Sequence, residues 1–452
     1  LLKYNQPAEE FIPILYKGKQ NLPIKSICQI SQNELCLGTD GKGTKIFNIP
    51  KQLITDYPFD NNYLDSGTSK VHSVLKDNAG NLWIAIYQKG VMMIPAQPNS
   101  FKYIGYKSIN KNIIGSNCIT SLCRDHEGIL WIGTDNDGIY GITTELKQKV
   151  HYAPHDSPSS VPSTVFGLYE DSEHNLWFGS YTNGLGRLDK KTGQCSYLQN
   201  LTDKNGNRIQ RVYDLVEDQD KRLWIATMGA GLFYYDLKTG QSVYDPKFNA
   251  ATKKYKWISC LLYAGDNHLY VGTYDGIRCI DLSTDDFKTE EILSRHIIHS
   301  LYEDPQGNIW IGNSEGLAEW NPQTQQLKTY TTAHGLSSNA VYAIKGDGQD
   351  NLWISTNAGM SRFNLNTHTF SNFYADDGLQ GNEFSKNASF ADHNGILWFG
   401  GTNGITYFNP QEITNPAKKW NVRIIDFYLH DQPIRKGMLS GGKEIINTSV
   451  FE

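Results

Sequence analysis

One short string recurs along this chain, and its spacing restricts the fold more than any other feature. Seven of the ten tryptophans sit in the same context, Leu or Ile before and Ile or Phe after, then Gly, Ala or Ser: Trp83, Trp131, Trp177, Trp224, Trp310, Trp353 and Trp398. Two degenerate copies put Cys36 and Tyr270 at the same point, in LCLGT and LYVGT. The nine anchors lie 40 to 48 residues apart. An Asp precedes the anchor by six residues in seven units (Asp77, Asp125, Asp171, Asp218, Asp304, Asp347, Asp392). A Gly follows it by six or seven residues in all nine.

Between Asp and anchor stand turn formers, as in DNAGN and DPQGN, where Asp accepts local backbone N–H bonds and Gly or Asn takes positive φ. Around the turns lie runs rich in β-branched and aromatic residues: CITSLCRD, LWIGT, GIYGIT and KVHY in one unit. Four strands per unit of this length predict a β-propeller, an all-β fold whose blades bury their faces by stacking and lose their ends by closing a ring. The repeated Trp is expected in the core between blades, and the repeated Asp turn in the scaffold.

Two closures fit the sequence. FIPILYKG at 11–18 can complete the last blade in one nine-unit ring, or FKYIGY at 101–106 can complete it in a ring of seven. Propellers of four to eight blades favour the second. Residues 1–106 then form the end of a preceding propeller (two repeats), the alternative being the first blades of the same ring. Residues 107–415 form a seven-repeat propeller, and 416–452, where WNVRIIDFYLHDQPI alternates apolar and polar, the truncated start of a β-sandwich.

Composition removes other classes. The chain has 452 residues, 42 Lys plus Arg against 47 Asp plus Glu, and a net charge of −5, which argues against direct nucleic-acid contact. No run reaches the roughly 18 apolar residues that cross a bilayer, and no charged-then-apolar leader opens the chain. The seven cysteines include no CxxC pair and read as buried apolar residues. HExxH and P-loop motifs are absent. No cofactor, metal ligand or catalytic residue is assigned.

The unit seen in YEDPQGNIWIGNSEGLAEW and KDNAGNLWIAIYQKGV resembles the two-component-regulator propeller repeat. DGLQGNEFSKNASFADHNGILWFGGTNGITYFNP is similar to the last repeat of that family's second propeller, and KKWNVRIIDFYLHDQPI resembles the start of its three-tyrosine, immunoglobulin-like domain. The resemblance implies the periplasmic part of an inner-membrane hybrid two-component histidine kinase of Bacteroidetes type. Such a sensor would recognise an oligosaccharide from polysaccharide breakdown, act as a homodimer and signal to transcription of glycan-utilisation genes. Its membrane anchor would lie in a segment absent from this chain. The chain holds nine of the fourteen repeats the resemblance implies and no kinase motif, so the expected role is recognition, not phosphotransfer.

A propeller mouth is lined by the loops that lead into the innermost strand of each blade and those between its second and third strands. The latter offer Tyr181, Asn183, Tyr274, Asp275, Asn313 and Glu315; the former add Arg208, Arg211, Trp257, Arg295, His296, Glu383 and Asn387. Flat aromatic faces suit sugar C–H surfaces, fixed polar groups suit hydroxyls, and arginines suit an acidic or sulfated sugar. Two other classes remain open: a glycan-active enzyme using Glu315 and Glu383 as a carboxylate pair, and a protein-interaction scaffold. His296 and His299, three apart on a predicted strand, face opposite sides and should not share a metal.

Overall fold

The computed structural model describes residues 1–17, 22–57, 68–96, 101–106, 112–115, 117–203, 205–244, 256–284 and 287–413, and in the final stretch 427–429, 432–434, 439–440 and 443–444. The chain divides into two units, Leu1–Thr414 and Asn415–Glu452.

The first unit is dominated by a ring of seven four-stranded antiparallel blades. Their innermost strands, blades 1 to 7 in order, are Ile119–Arg124, Val165–Glu170, Val212–Glu217, Ile258–Tyr263, Ile298–Glu303, Val341–Gly346 and Phe384–Ala391. Each lies beside the next, and the seventh lies beside the first, so the ring is closed. Blade 7 takes its outermost strand from far upstream: Lys102–Ile104 pairs with Gly404–Phe408, Tyr103 opposite Thr406. The Tyr103 hydroxyl donates to the Asn403 carbonyl at 2.6 Å. The second of the two closures is therefore the one adopted. Glu10–Pro13 instead folds back on Leu2–Asn5 in a hairpin. Two further sheets precede the ring: a four-stranded one from Ile24–Ser31 to Leu53–Asp56, and Val71–Lys76, Leu82–Ile86 and Gly90–Ile94, three-stranded among the described residues.

Each letter of the repeat now has a physical reason. The ring anchors Trp131, Trp177, Trp224, Trp310, Trp353 and Trp398 are at most 3% exposed. Each indole packs into the following blade. Trp131 meets Val165, Leu168 and Phe178 of blade 2, and Trp398 meets Ile119, Ile132 and Ile142 of blade 1, which completes the circle. The six-residue spacing from Asp is a hydrogen bond. Asp125, Asp171, Asp218 and Asp304 accept the indole N–H of their own Trp at 2.7–2.8 Å. The same carboxylates accept the backbone N–H four residues on, at 2.8–3.0 Å, fixing the turn.

Trp353 and Trp398 lack an indole acceptor among the described residues; Arg362 and Arg124 lie over their rings at 5.7 Å instead. Trp83 departs from the expected core placement. It keeps its bond to Asp77 at 2.9 Å but is 39% exposed, because no blade covers its face among the described residues.

The Gly of LWIGT is needed for close stacking: a Cβ on Gly179 would stand 2.5 Å from the Val212 carbonyl of the next blade. The residue after it caps the following loop. Thr134 donates Oγ1–H to the Gly138 carbonyl at 2.9 Å and accepts the Asp137 N–H at 3.0 Å. Gly138 itself has φ +73°, which favours glycine.

All seven cysteines are free. The second unit contributes two short hairpins, Phe427–Leu429 with Gln432–Ile434 and Leu439–Ser440 with Lys443–Glu444. The expected sandwich strands upstream of Phe427 lie outside the described residues. Among the described residues, no helix is long and apolar enough to cross a membrane.

Candidate ligand-binding mouth

Successive turns of an antiparallel blade alternate between its two ends, so the Asp turns and the second-to-third-strand loops lie on opposite faces of the ring. The loop face is the mouth expected from sequence. Five of its seven loops are pinned by a Thr or Ser cap, in Ser180, Thr227, Thr273 and Thr356 as in Thr134.

The structure adds a feature at the top of the innermost strands. In all seven blades the pairing slips just after the first residue, inserting a bulge. The residues set there are Thr120, Phe166, Tyr213, Ser259, His299 and Tyr342, with Asn387 in the wider bulge of blade 7. A bulge redirects a side chain out of the alternating pattern. Two neighbouring pairs of them touch, and Thr120 and Ser259 bond to the backbone of the next blade. Phe166 stacks on Tyr213 at 4.2 Å, His299 meets Tyr342 edge-on at 5.4 Å, and the Ser259 hydroxyl donates to the Ile298 carbonyl at 2.6 Å.

The residues picked from sequence fall into three groups above this collar. Around blades 2 and 3, the Arg211 guanidinium lies 4.8 Å over the Tyr181 ring, Tyr181 meets Phe166 at 6.0 Å, and Arg208 donates to the Asn183 carbonyl at 3.0 Å. At blade 4, Trp257 and Tyr274 meet at 5.8 Å, and Tyr274 donates its backbone N–H to the Trp257 carbonyl at 3.0 Å. Tyr181 and Trp257 are 42% and 43% exposed, which leaves open aromatic surface. At blade 5, His296 pairs with Glu315 at 3.2 Å, and the Asp275 carbonyl receives the Arg295 N–H at 3.0 Å. Asn313 is buried and its side chain accepts the Glu315 N–H at 2.7 Å, a loop cap equivalent to Thr134. Glu383 is exposed at the start of blade 7. His296 precedes its strand rather than lying on it, whereas His299 is buried in the bulge.

Asn387 reaches elsewhere. With φ +54° it donates Nδ2–H to Asp214 of blade 3 at 3.0 Å, a bond between blades that are not neighbours. Asp214 also accepts the Leu261 and Leu215 N–H groups at 2.9 Å. Burial pushes its carboxyl up to about 6, against the pull of those donors and of the Lys345 charge. Burial also pushes Lys345 and Lys386 down. His299 is lowered to about 3 by burial, with the Lys386 charge adding to it, so its ring is neutral at physiological pH. Inside the ring, Asp214 is thus tied to blades 4 and 7, and the mouth above it carries the accessible aromatic and cationic groups.

Of the bulge residues only Asn387 was among the ligand candidates read from sequence, yet a signal for the others exists. The first residue of each innermost strand is Ile, Val or Phe, while the second changes from blade to blade.

Five segments, 113–136, 159–182, 203–229, 292–315 and 335–358, match the family described as two component regulator propeller. A histidine kinase, P4, of Formosa agariphila is 24% identical over 426 residues, covering 92% of this chain and 24% of that protein. The chain thus spans about a quarter of the length of that relative. Among solved structures, the extracellular domain assigned to a hybrid two-component system of B. thetaiotaomicron superimposes with TM-score 0.72 at 22% identity, over 96% of this chain and 58% of the other. A second extracellular domain from B. thetaiotaomicron, assigned to a one-component system, gives 0.58 at 19%, over 96% and 59%.

Proposed function

We propose that this chain of two-component-regulator propeller repeats is the extracytoplasmic sensing region of a hybrid two-component histidine kinase. Its ligand is an oligosaccharide derived from a polysaccharide, held at the ring mouth, and its output is transcription of glycan-utilisation genes. The observation that carries this reading is the open aromatic surface of Tyr181 and Trp257 beside Arg211, above a collar containing Phe166, Tyr213 and Tyr342. Sugar rings stack on such faces, and guanidinium groups bind carboxylate or sulfate substituents.

The chain acts by binding. Glu315 is held by His296, and the buried Asp214 carboxylate is enclosed by its donors. Signalling follows from differential affinity. A ligand that fits one arrangement of a membrane-anchored homodimer better than another shifts the population toward it. The protein sits on the periplasmic side of the inner membrane.

Isothermal calorimetry of the chain against a panel of neutral, uronic and sulfated oligosaccharides tests this. One class is expected to bind, with Tyr213→Ala and Trp257→Ala each weakening it about tenfold, near 1.4 kcal/mol. Turnover of a glycan that is abolished in Glu315→Gln or Glu383→Gln would replace the sensor reading with a hydrolase.

A further inference from the structure

On the face opposite the mouth, the Asp turns of blades 1 and 2 bring two histidines and a glutamate together. His126 follows Asp125, His174 lies in the turn after Asp171, and Glu170 ends the innermost strand of blade 2. The rings of His126 and His174 stack with centroids 3.8 Å apart and planes 28° apart. The Glu170 carboxylate receives the His126 backbone N–H at 2.7 Å, and the His126 Nδ1 lies 2.8 Å from its other oxygen. One donor atom from each residue lies within 4.8 Å of the other two.

We infer that His126, Glu170 and His174 form a binding site for a divalent transition-metal ion of the zinc type. Two imidazole nitrogens and one carboxylate oxygen are the donor set of zinc sites that keep a coordination position open. The set is poor for calcium, which takes six to eight oxygen ligands. The open side has room: a cleft of about 980 Å³ is lined by both histidines together with Arg187, Asp189 and Lys190. In the metal-free arrangement the Lys190 ammonium lies 2.6 Å from Glu170 and 3.2 Å from Asp125. The ion would take its place at Glu170, leaving Lys190 with Asp125, so Lys190 competes with the metal for one oxygen.

His174 also provides a decisive variant. Its φ is +68°, and the corresponding residue in four other turns is Gly80, Gly128, Gly307 or Gly395, all with positive φ. Glycine fits this slot without strain, so His174→Gly removes the ligand while favouring the turn. The chain, stripped with a chelator, is titrated with zinc chloride by calorimetry and by thermal unfolding. One zinc per chain is expected, with a rise in Tm, and calcium chloride gives neither. His126→Gln and His174→Gly each weaken zinc binding about tenfold or more. His174→Gly keeps or raises the metal-free Tm, and Lys190→Gln tightens binding severalfold. The inference is overturned by an absence of zinc binding in the wild-type chain, or by binding that both histidine variants retain.

Discussion

The same tryptophan motif occupies two settings. In the ring, Trp224 and Trp310 keep their bonds to Asp218 and Asp304 and are sealed by the next blade, at 0% and 1% exposure. In the sheet of residues 71–94, Trp83 makes the same bond to Asp77, but its face stays 39% open, beside Leu75, Val91 and Met93 at 46% or more. The motif therefore builds the turn and aims the indole by itself, whereas burial comes from the neighbour. Local grammar shapes a blade; stacking and closure stabilise it.

The sharpest way to break this contrast is to remove the indoles. Trp224→Ala should cost about 3–5 kcal/mol, as for buried aromatics generally, and Trp83→Ala well under half of that. Urea denaturation of both variants measures it, and equal losses would mean that the covering blade is not what stabilises the ring. Next in size is the buried Asp214, confined to the ring. Its native carboxyl binds a proton near pH 6 and its unfolded one near 3.8. The native state thus holds more protons between those values, and the stability this group contributes is full below about pH 4 and lost as pH rises through 6. The difference between wild type and Asp214→Asn should grow over that window to at most about 3 kcal/mol, read from Tm against pH.

Smaller effects sharpen the same point. Gly179→Ala should cost about 1–3 kcal/mol, since its Cβ meets the Val212 backbone, which cannot step aside. The equivalent site carries Ala85 in the open sheet, and Ala226 and Ser355 in two other blades of the ring, so the cost belongs to the close approach at this one interface. Asp218→Asn should cost about 1–2 kcal/mol by weakening the acceptor of a buried indole and of Arg222, 2.6 Å away. Asp77→Asn, beside the exposed Trp83, should change Tm less; a larger drop there would undo the comparison.

The blade grammar was legible because Asp, Trp, Gly and the capping Thr all act within one unit, so each recurs at fixed spacing. The two closures could be posed from FIPILYKG and FKYIGY, and the pairing of Lys102–Ile104 with Gly404–Phe408 decides between them. The mouth was half legible. Tyr181, Arg211, Trp257 and Tyr274 lie on loops, where turn residues announce them. Tyr213 and Tyr342 did not stand out, because a bulge adds a residue without disturbing the look of a strand. Polar contacts between blades left no trace: Asp214 and Asn387 are 173 residues apart, and His126 and Glu170 are 44.

The borrowed strand of blade 7 also bears on how the chain is made. Tyr103 meets its partner 300 residues downstream. At about 5–20 residues per second, a ribosome needs roughly 15–60 s to deliver that partner. Throughout that interval a growing row of blades has two raw ends and no latch. The circle can snap shut only after its final segment emerges, so closure follows the synthesis of blade 7.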